Sequence, residues 1–282
     1  MPRASSILYY HARITCARAI YSGPSYGCRV VVEVNDMKMN DAVVVVTGAN
    51  RGLGLALVRA AVGAGARKVY AGARDPKQLA ALVEQSGGRV VPLALDITDA
   101  RSLATAAEHA PDVTVLSNNA GVLTSYNVLT ATSEEMAHDF GTNFFGTLAA
   151  TKEFLPALER AAQVGPAAVV NVLSVASLAN VPALAAYSAS KAAASSITQA
   201  LRVELVKKRV SVHGVFAGAI DTDMVRGMEM AKTTPEDVAK GILEGLERGE
   251  EDIAPDPMSR GLFETWRRDP KSVERQLGTI SG

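Results

Sequence analysis

The sequence predicts an α/β protein: one doubly wound parallel sheet with helices on both faces. Three observations carry this expectation. From Asp41 onward, short β-branched runs alternate with stretches of helical periodicity. Those runs are continuously apolar, as expected of strands buried on both faces. No internal repeat and no linker divides the region. The chain therefore reads as an N-terminal extension, residues 1–38, ahead of one sheet domain, residues 39–282. Crossovers between its parallel strands should be right-handed, with ligands beyond the carboxyl ends of the strands.

The elements follow in order. AVVVVTG, from Ala42, is a buried strand ending in Gly, and LGLALVRAAVGAG after it is a helix with a Gly stop. KVYAGA is the second strand. The helix DPKQLAALVEQSGG has Pro76 in its first turn and glycines at its end. RVVPLAL is the third strand, and Thr98 or Asp99 would cap the helix that follows. DVTVLSN is the fourth strand. One long helix is expected over 133–162, opened by Ser133 with acids in its first turn. AAVVNVLS is the fifth strand and residues 187–208 form a long helix rich in small side chains. VSVHGVF is the sixth strand, and a helix begins near Pro235.

Composition narrows the function classes. Hydrophobic residues make up 48% of the chain and charged residues 21%, an ordinary globular balance. Net charge is zero, so nothing recruits nucleic acid or an anionic membrane surface. No apolar run approaches the roughly 18 residues of a membrane span. The four histidines lack ligand spacing, and no metal is expected. Cys16 and Cys28 are the only cysteines, which suits a reducing, cytoplasmic setting. The first 36 residues carry Arg3, Arg13, Arg18 and Arg29, and the first acid is Glu33. Three readings stay open for this segment: an organelle transit peptide, a disordered extension, or upstream sequence before a working start at Met37 or Met39.

Two stretches carry chemistry. TGANRGLG, Thr47 to Gly54, is a glycine-rich turn at the first strand–helix junction. Such a turn lets backbone approach a pyrophosphate and offers it a helix N-terminus. The spacing of Gly48, Gly52 and Gly54 differs from G-x-G-x-x-G. YSASK places Tyr187 and Lys191 four residues apart, on one face of a helix with small residues between. Alone, that pair could be a half-buried ring beside a solvated tail.

T-G-x(3)-G-x-G, NNAG at Asn118 to Gly121, Asn143, Ser174 and Tyr-x-x-x-Lys occur in one order. Together they resemble the short-chain dehydrogenase/reductase family, from about Asp41 to about Gly249, with its Rossmann-type sheet. The resemblance implies an NADP(H)-dependent oxidoreductase that interconverts a carbonyl compound and its alcohol. Asn143, Ser174, Tyr187 and Lys191 would be its catalytic set. Ser174 would fix the substrate oxygen, with Ser177 as a neighbouring rival, and Asn143 would support a water-mediated proton path. Lys191 would also bind the nicotinamide ribose. A phenol is a poor acid–base group at neutral pH. The nearby ammonium is expected to lower its pKa by two or three units, roughly 3–4 kcal/mol of interaction.

Cofactor contacts are implied for Gly48, Asn50, Arg51, Gly52, Leu53 and Gly54 in the turn. Asp96 and Ile97 would lie beside the adenine, although Asp96 could equally cap a helix. Asn119, Ala120 and Gly121 would line the site, and Thr222 would meet the carboxamide. Here Ala217-Gly218 stands where the family usually has Pro-Gly, which should loosen that turn. An acid at the end of the second strand would favour NAD. Alignment to the family pattern puts Ala73 there, followed by Arg74, and Arg51 stands in the glycine turn. Paired guanidinium donors suit a 2′-phosphate, so NADPH is expected over NADH. Met224, Met228 and Met230 in a short lid over 224–233 suit an apolar substrate, and equally the packing of a core. Rows of small residues over 134–163 and 187–209 suggest a homodimer or homotetramer. The competing function is a non-catalytic dinucleotide-sensing protein of the same fold.

Overall fold

The computed structural model describes residues 37–124 and 128–280. Its first half runs β1 (Val43–Thr47), α1 (Gly52–Gly63), β2 (Lys68–Ala73), a 3-10 turn (Pro76–Leu79), α2 (Ala80–Gln85), β3 (Val90–Ala94), α3 (Ala100–His109) and β4 (Val115–Asn118). Then come α4 (Ser133–Phe140), a π-helical segment (Gly141–Gly146), α5 (Thr147–Ala161), β5 (Ala167–Val172), α6 (Ala185–Leu205) and β6 (Val210–Val215). The chain ends in α7 (Pro235–Glu247), β7 (Asp252–Ile253), α8 (Pro257–Arg268) and α9 (Pro270–Gly278).

The strands form one sheet in the order β3-β2-β1-β4-β5-β6-β7, and every pairing is parallel. The chain order reverses between β1 and β4, which opens a crevice at their carboxyl ends. The continuous valines of β1 work as expected of a strand covered on both sides. Val44 and Val46 join a core beneath α1, α2 and α7. Val43 and Val45 join a second core beneath α3, α5 and α6. A chain of side-chain amides and hydroxyls crosses the sheet centre. Asn118 donates to Thr151 and to Asn171, and Asn171 donates to Thr198, each at 2.9 Å.

Three details differ from the sequence reading, and a fourth decides between its two candidates for the α3 cap. The long helix over 133–162 is broken by the π segment, and its N-cap is Thr132, paired with Glu135 in a capping box, rather than Ser133. Asp99, not Thr98, caps α3. The last long helix starts two residues early, at Ala185, and its α-helical part ends at Leu205. Beyond residue 249, β7, α8 and α9 were not foreseen. Asp256 and Asp269 cap α8 and α9, each followed by Pro at the first helical position. That Asp-Pro pairing, seen twice, is a start signal the sequence offered. Met37 and Met39 are buried in the first core cluster. The readings of residues 1–36 fall outside the described residues.

Candidate active site

A cavity of about 1200 Å³ opens beyond the carboxyl ends of the central strands. Its floor is the glycine turn. Gly48 and Gly52 adopt φ of +65° and +52°, left-handed values that favour glycine. At Gly54 a Cβ would sit 2.0 Å from the Gly48 carbonyl oxygen. The residue before α1, Arg51, makes no side-chain cap, and the first turn holds no acid. The leading N–H groups of this helix are thus left for an anion. Asn119 steadies the turn from β4, its Nδ2 donating to the carbonyls of Thr47 at 2.9 Å and Gly48 at 3.3 Å. The Thr47 hydroxyl accepts from the backbone N–H groups of Asn119 and Ala120. This cradle fits a dinucleotide pyrophosphate, which backbone donors hold.

The expected contact residues gather here. Gly48, Asn50, Arg51, Gly52, Leu53 and Gly54 line the cavity, as do Arg74, Asp96, Ile97, Asn119, Ala120, Gly121 and Thr222. Asp96 accepts from the N–H and hydroxyl of Thr98, at 2.9 and 2.7 Å, and these bonds hold its carboxyl below the usual range. Arg74 is exposed at the end of β2, and its charge also favours the Asp96 carboxylate. Arg51 pairs with Asp223 at 3.8 Å, across the glycine turn. The Ala217-Gly218 turn is not left loose. The Gly218 N–H donates to the buried Asp256 carboxylate at 2.8 Å.

Ser174, Tyr187 and Lys191 line the same cavity. Ser174 follows β5 and opens a 3-10 turn, Val175–Ser177. Ser177 bonds back to the Ser174 backbone and does not line the cavity, which separates the two rivals. Tyr187 and Lys191 stand on α6, both buried. The Lys191 ammonium donates to the Val172 carbonyl at 2.7 Å and lies 5.9 Å from the Tyr187 ring centroid. Burial pushes the phenol up to about 12; the Ser174 hydroxyl opposes this and the Asp139 charge adds to it. Burial pulls Lys191 down to about 8, against the Asp139 charge. The expected lowering of the phenol by Lys191 is therefore reversed. Burial, with the Asp139 charge, sets the direction of the shift.

Asn143 is the catalytic candidate that does not line the cavity. It sits in the π segment, a helical irregularity that often marks functional positions. Its Nδ2 donates to the Val122 carbonyl and the Ser190 hydroxyl, and its Oδ1 accepts from the Val122 N–H, all at 2.9 Å. In this arrangement it ties the segment after β4 to α6.

The other end of the cavity is apolar. Leu123, Val181, Leu184, Met224, Met228 and Met230 line it, joined by Met258 and Leu277 from the C-terminal helices and Ile280 just after them, with His138 and Glu229 as polar members. The C-terminal contributors were missed because nothing local ties α8 and α9 to Tyr187; only the fold brings them together.

Residues 42–233 match the short chain dehydrogenase family. The short chain dehydrogenase pigC of Monascus ruber is 32% identical over 202 residues, 67% of this chain and 66% of its own length. A short chain dehydrogenase from Burkholderia cenocepacia, solved in complex with NADP, superposes with a TM-score of 0.79 at 37% identity, covering 86% of this chain and 99% of the other. One from Burkholderia phymatum, in complex with NAD, superposes at 0.76 and 23% identity over 87% and 98%, a likeness of fold alone. The chain belongs to the short-chain dehydrogenase family, a family of oxidoreductases. Among the described residues, no helix is long and apolar enough to cross a membrane.

Proposed function

We propose that this protein is an NADP(H)-dependent oxidoreductase that reduces an apolar ketone or aldehyde, or oxidises the matching alcohol. The observation that carries the reading is one cavity shared by the glycine turn, Ser174, Tyr187 and Lys191. When bound, the nicotinamide supplies or takes up the hydride. Residues of this chain do the rest. The Ser174 hydroxyl orients the carbonyl oxygen. Tyr187, protonated at neutral pH, donates a proton to that oxygen as negative charge develops there. Lys191 lies close enough to stabilise the phenolate left behind. A phenol held in its acid form suits reduction better than oxidation at neutral pH.

Preference for NADPH rests on Arg74 and Arg51, the guanidinium groups lining the cavity near the end of β2 and the glycine turn. The Burkholderia cenocepacia relative binds NADP. The apolar end of the cavity, lined by methionine and leucine, supports a substrate with little charge. We further propose self-association through α5, α6 and the adjoining Phe145, which is 61% exposed.

The test is NADPH oxidation across a panel of neutral, anionic and cationic carbonyl compounds, with dissociation constants for both cofactors. Turnover of apolar carbonyls with NADPH is expected. Tight cofactor binding without turnover of any carbonyl or alcohol would favour the sensing function.

A further inference from the structure

Asp139 is fully buried, with no exposed surface. Neither carboxylate oxygen makes a well-formed hydrogen bond to a described residue, although the hydroxyl and N–H of Thr124 are turned toward the carboxylate and favour its charge. Buried acids are ordinarily paired. Asp139 stands on α4, one turn before Asn143, and α4 packs against α6. Asn143 Oδ1 lies 3.0 Å from the point a Gly121 Cβ would occupy, and Lys191 Nζ lies 3.5 Å from the same point. The Asp139–Asn143 face of the helix thus meets Lys191 across the Gly121 backbone.

Lys191 needs a counter-charge. It is 5% exposed, and its ammonium donates to one backbone carbonyl. A buried ammonium without an opposite charge gives up its proton. Asp139 is the acid whose charge reaches both Lys191 and Tyr187. The groups that face Asp139 in turn are Thr124 after β4, His138 on its own helix, and the α6 pair. Burial disfavours its ionised form, while Thr124, His138 and Lys191 favour it.

We propose that Asp139 is a positioning residue of this site, a buried carboxylate that keeps both Lys191 and Tyr187 loaded with their protons and so biases the site toward reduction. It acts through those two side chains and touches neither substrate nor cofactor. The inference rests on Tyr187 being the proton donor.

The test uses the full chain without cofactor. Carbon NMR of the Lys191 side chain, assigned by its loss in Lys191→Met, follows the ammonium through its titration. In Asp139→Asn the midpoint is expected to fall by about one pH unit, while Asp139→Glu stays near the wild type. The alkaline limb of kcat/KM for carbonyl reduction should move down with it. Superimposable Lys191 titrations in wild type and Asp139→Asn would overturn the proposal. Should Asp139→Asn fail to fold, the coupling is read from the other side. The Asp139 carboxyl, followed by NMR, must titrate at higher pH in Lys191→Met than in wild type, because the coupling is reciprocal; an unchanged midpoint overturns the idea. Coupling without any carbonyl turnover would break the functional reading, and with it the bias toward reduction, and leave only the charge coupling of Asp139 to Lys191. Turnover without coupling would do the reverse.

Discussion

The two ends of the cavity are built by different means. The cofactor end consists of backbone: a glycine turn, an uncapped helix N-terminus, and a strand-end Asn bonded to two carbonyls. The substrate end consists of side chains from four separate segments, after β4, after β5, after β6 and from α8–α9. Backbone geometry tolerates almost no change, because φ values and close approaches admit few residues. Side-chain walls tolerate exchange, because methionine and leucine repack. The difference implies that substitutions at the first end should act all-or-none and those at the second by degrees.

The sharpest way to break this comparison is Gly54→Ala. Its Cβ would lie 2.0 Å from the Gly48 oxygen, a contact that no rotamer relieves. Loss of cofactor binding beyond about 1000-fold, or loss of the folded protein, is expected. Calorimetric titration with NADPH checks it, and normal affinity would end the idea of a backbone-built cradle. Next is Tyr187→Phe, which removes only a hydroxyl. Turnover should fall at least about 100-fold while cofactor affinity holds. Near-normal turnover would move the proton donor elsewhere.

Lys191→Met should act on stability with a definite sign. The folded-state value of Lys191 is about 8, below its usual 10.5. Below pH 8 the folded protein carries a charge it disfavours; between pH 8 and 10.5 the unfolded chain holds the extra proton. Wild-type stability from this group therefore rises with pH through that window. Relative to wild type, the Met variant should therefore fare better at pH 7 than at pH 10.5, by about 3 kcal/mol less whatever the unpaired Asp139 carboxylate costs. Urea melts at pH 7 and pH 10.5 measure this, and an equal difference at the two pH values would contradict it.

Arg51→Ala and Arg74→Ala should each weaken NADPH about 10- to 100-fold and barely alter NADH, at about 1.5–3 kcal/mol per charge-assisted bond. Paired dissociation constants decide this; equal losses for both cofactors would rule out a 2′-phosphate contact. Smallest of all, Met228→Ala or truncation of Ile280 at the substrate end should change KM only a few-fold, about 1 kcal/mol, and leave cofactor affinity untouched. A loss as large as that of Gly54→Ala would erase the distinction between the two ends.

The same division explains what the sequence disclosed. Six of the strands, and the turn residues from Gly48 to Gly54, follow local rules: β-branched runs, glycine spacing, caps. The residues named for the cofactor end therefore lie along the cavity. Asn143 was named too, but its bonds to Val122 and Ser190 came only from the structure. Asp139 and Ile280 had no local signal. An aspartate near the end of an acidic helix reads as solvated until the packing of α4 on α6 buries it. The direction of the Tyr187 shift was also beyond the sequence, because spacing supplies the charge and only the folded cleft supplies the desolvation.

The π segment at Gly141–Gly146 has a further consequence, for length variation. A π turn is an α-helix with one residue too many. Deleting one residue from 141–146 would let the backbone return to regular α-helix, with better hydrogen bonding. The widened turn is what absorbs that residue, so the stretches on either side would keep nearly their present phase and Asp139 would stay on the face that packs on α6. Such a shortened chain should fold, and even melt higher, but the turn that aims Asn143 at Val122 and Ser190 would be re-drawn. The surplus residue thus re-aims one side chain without turning the rod.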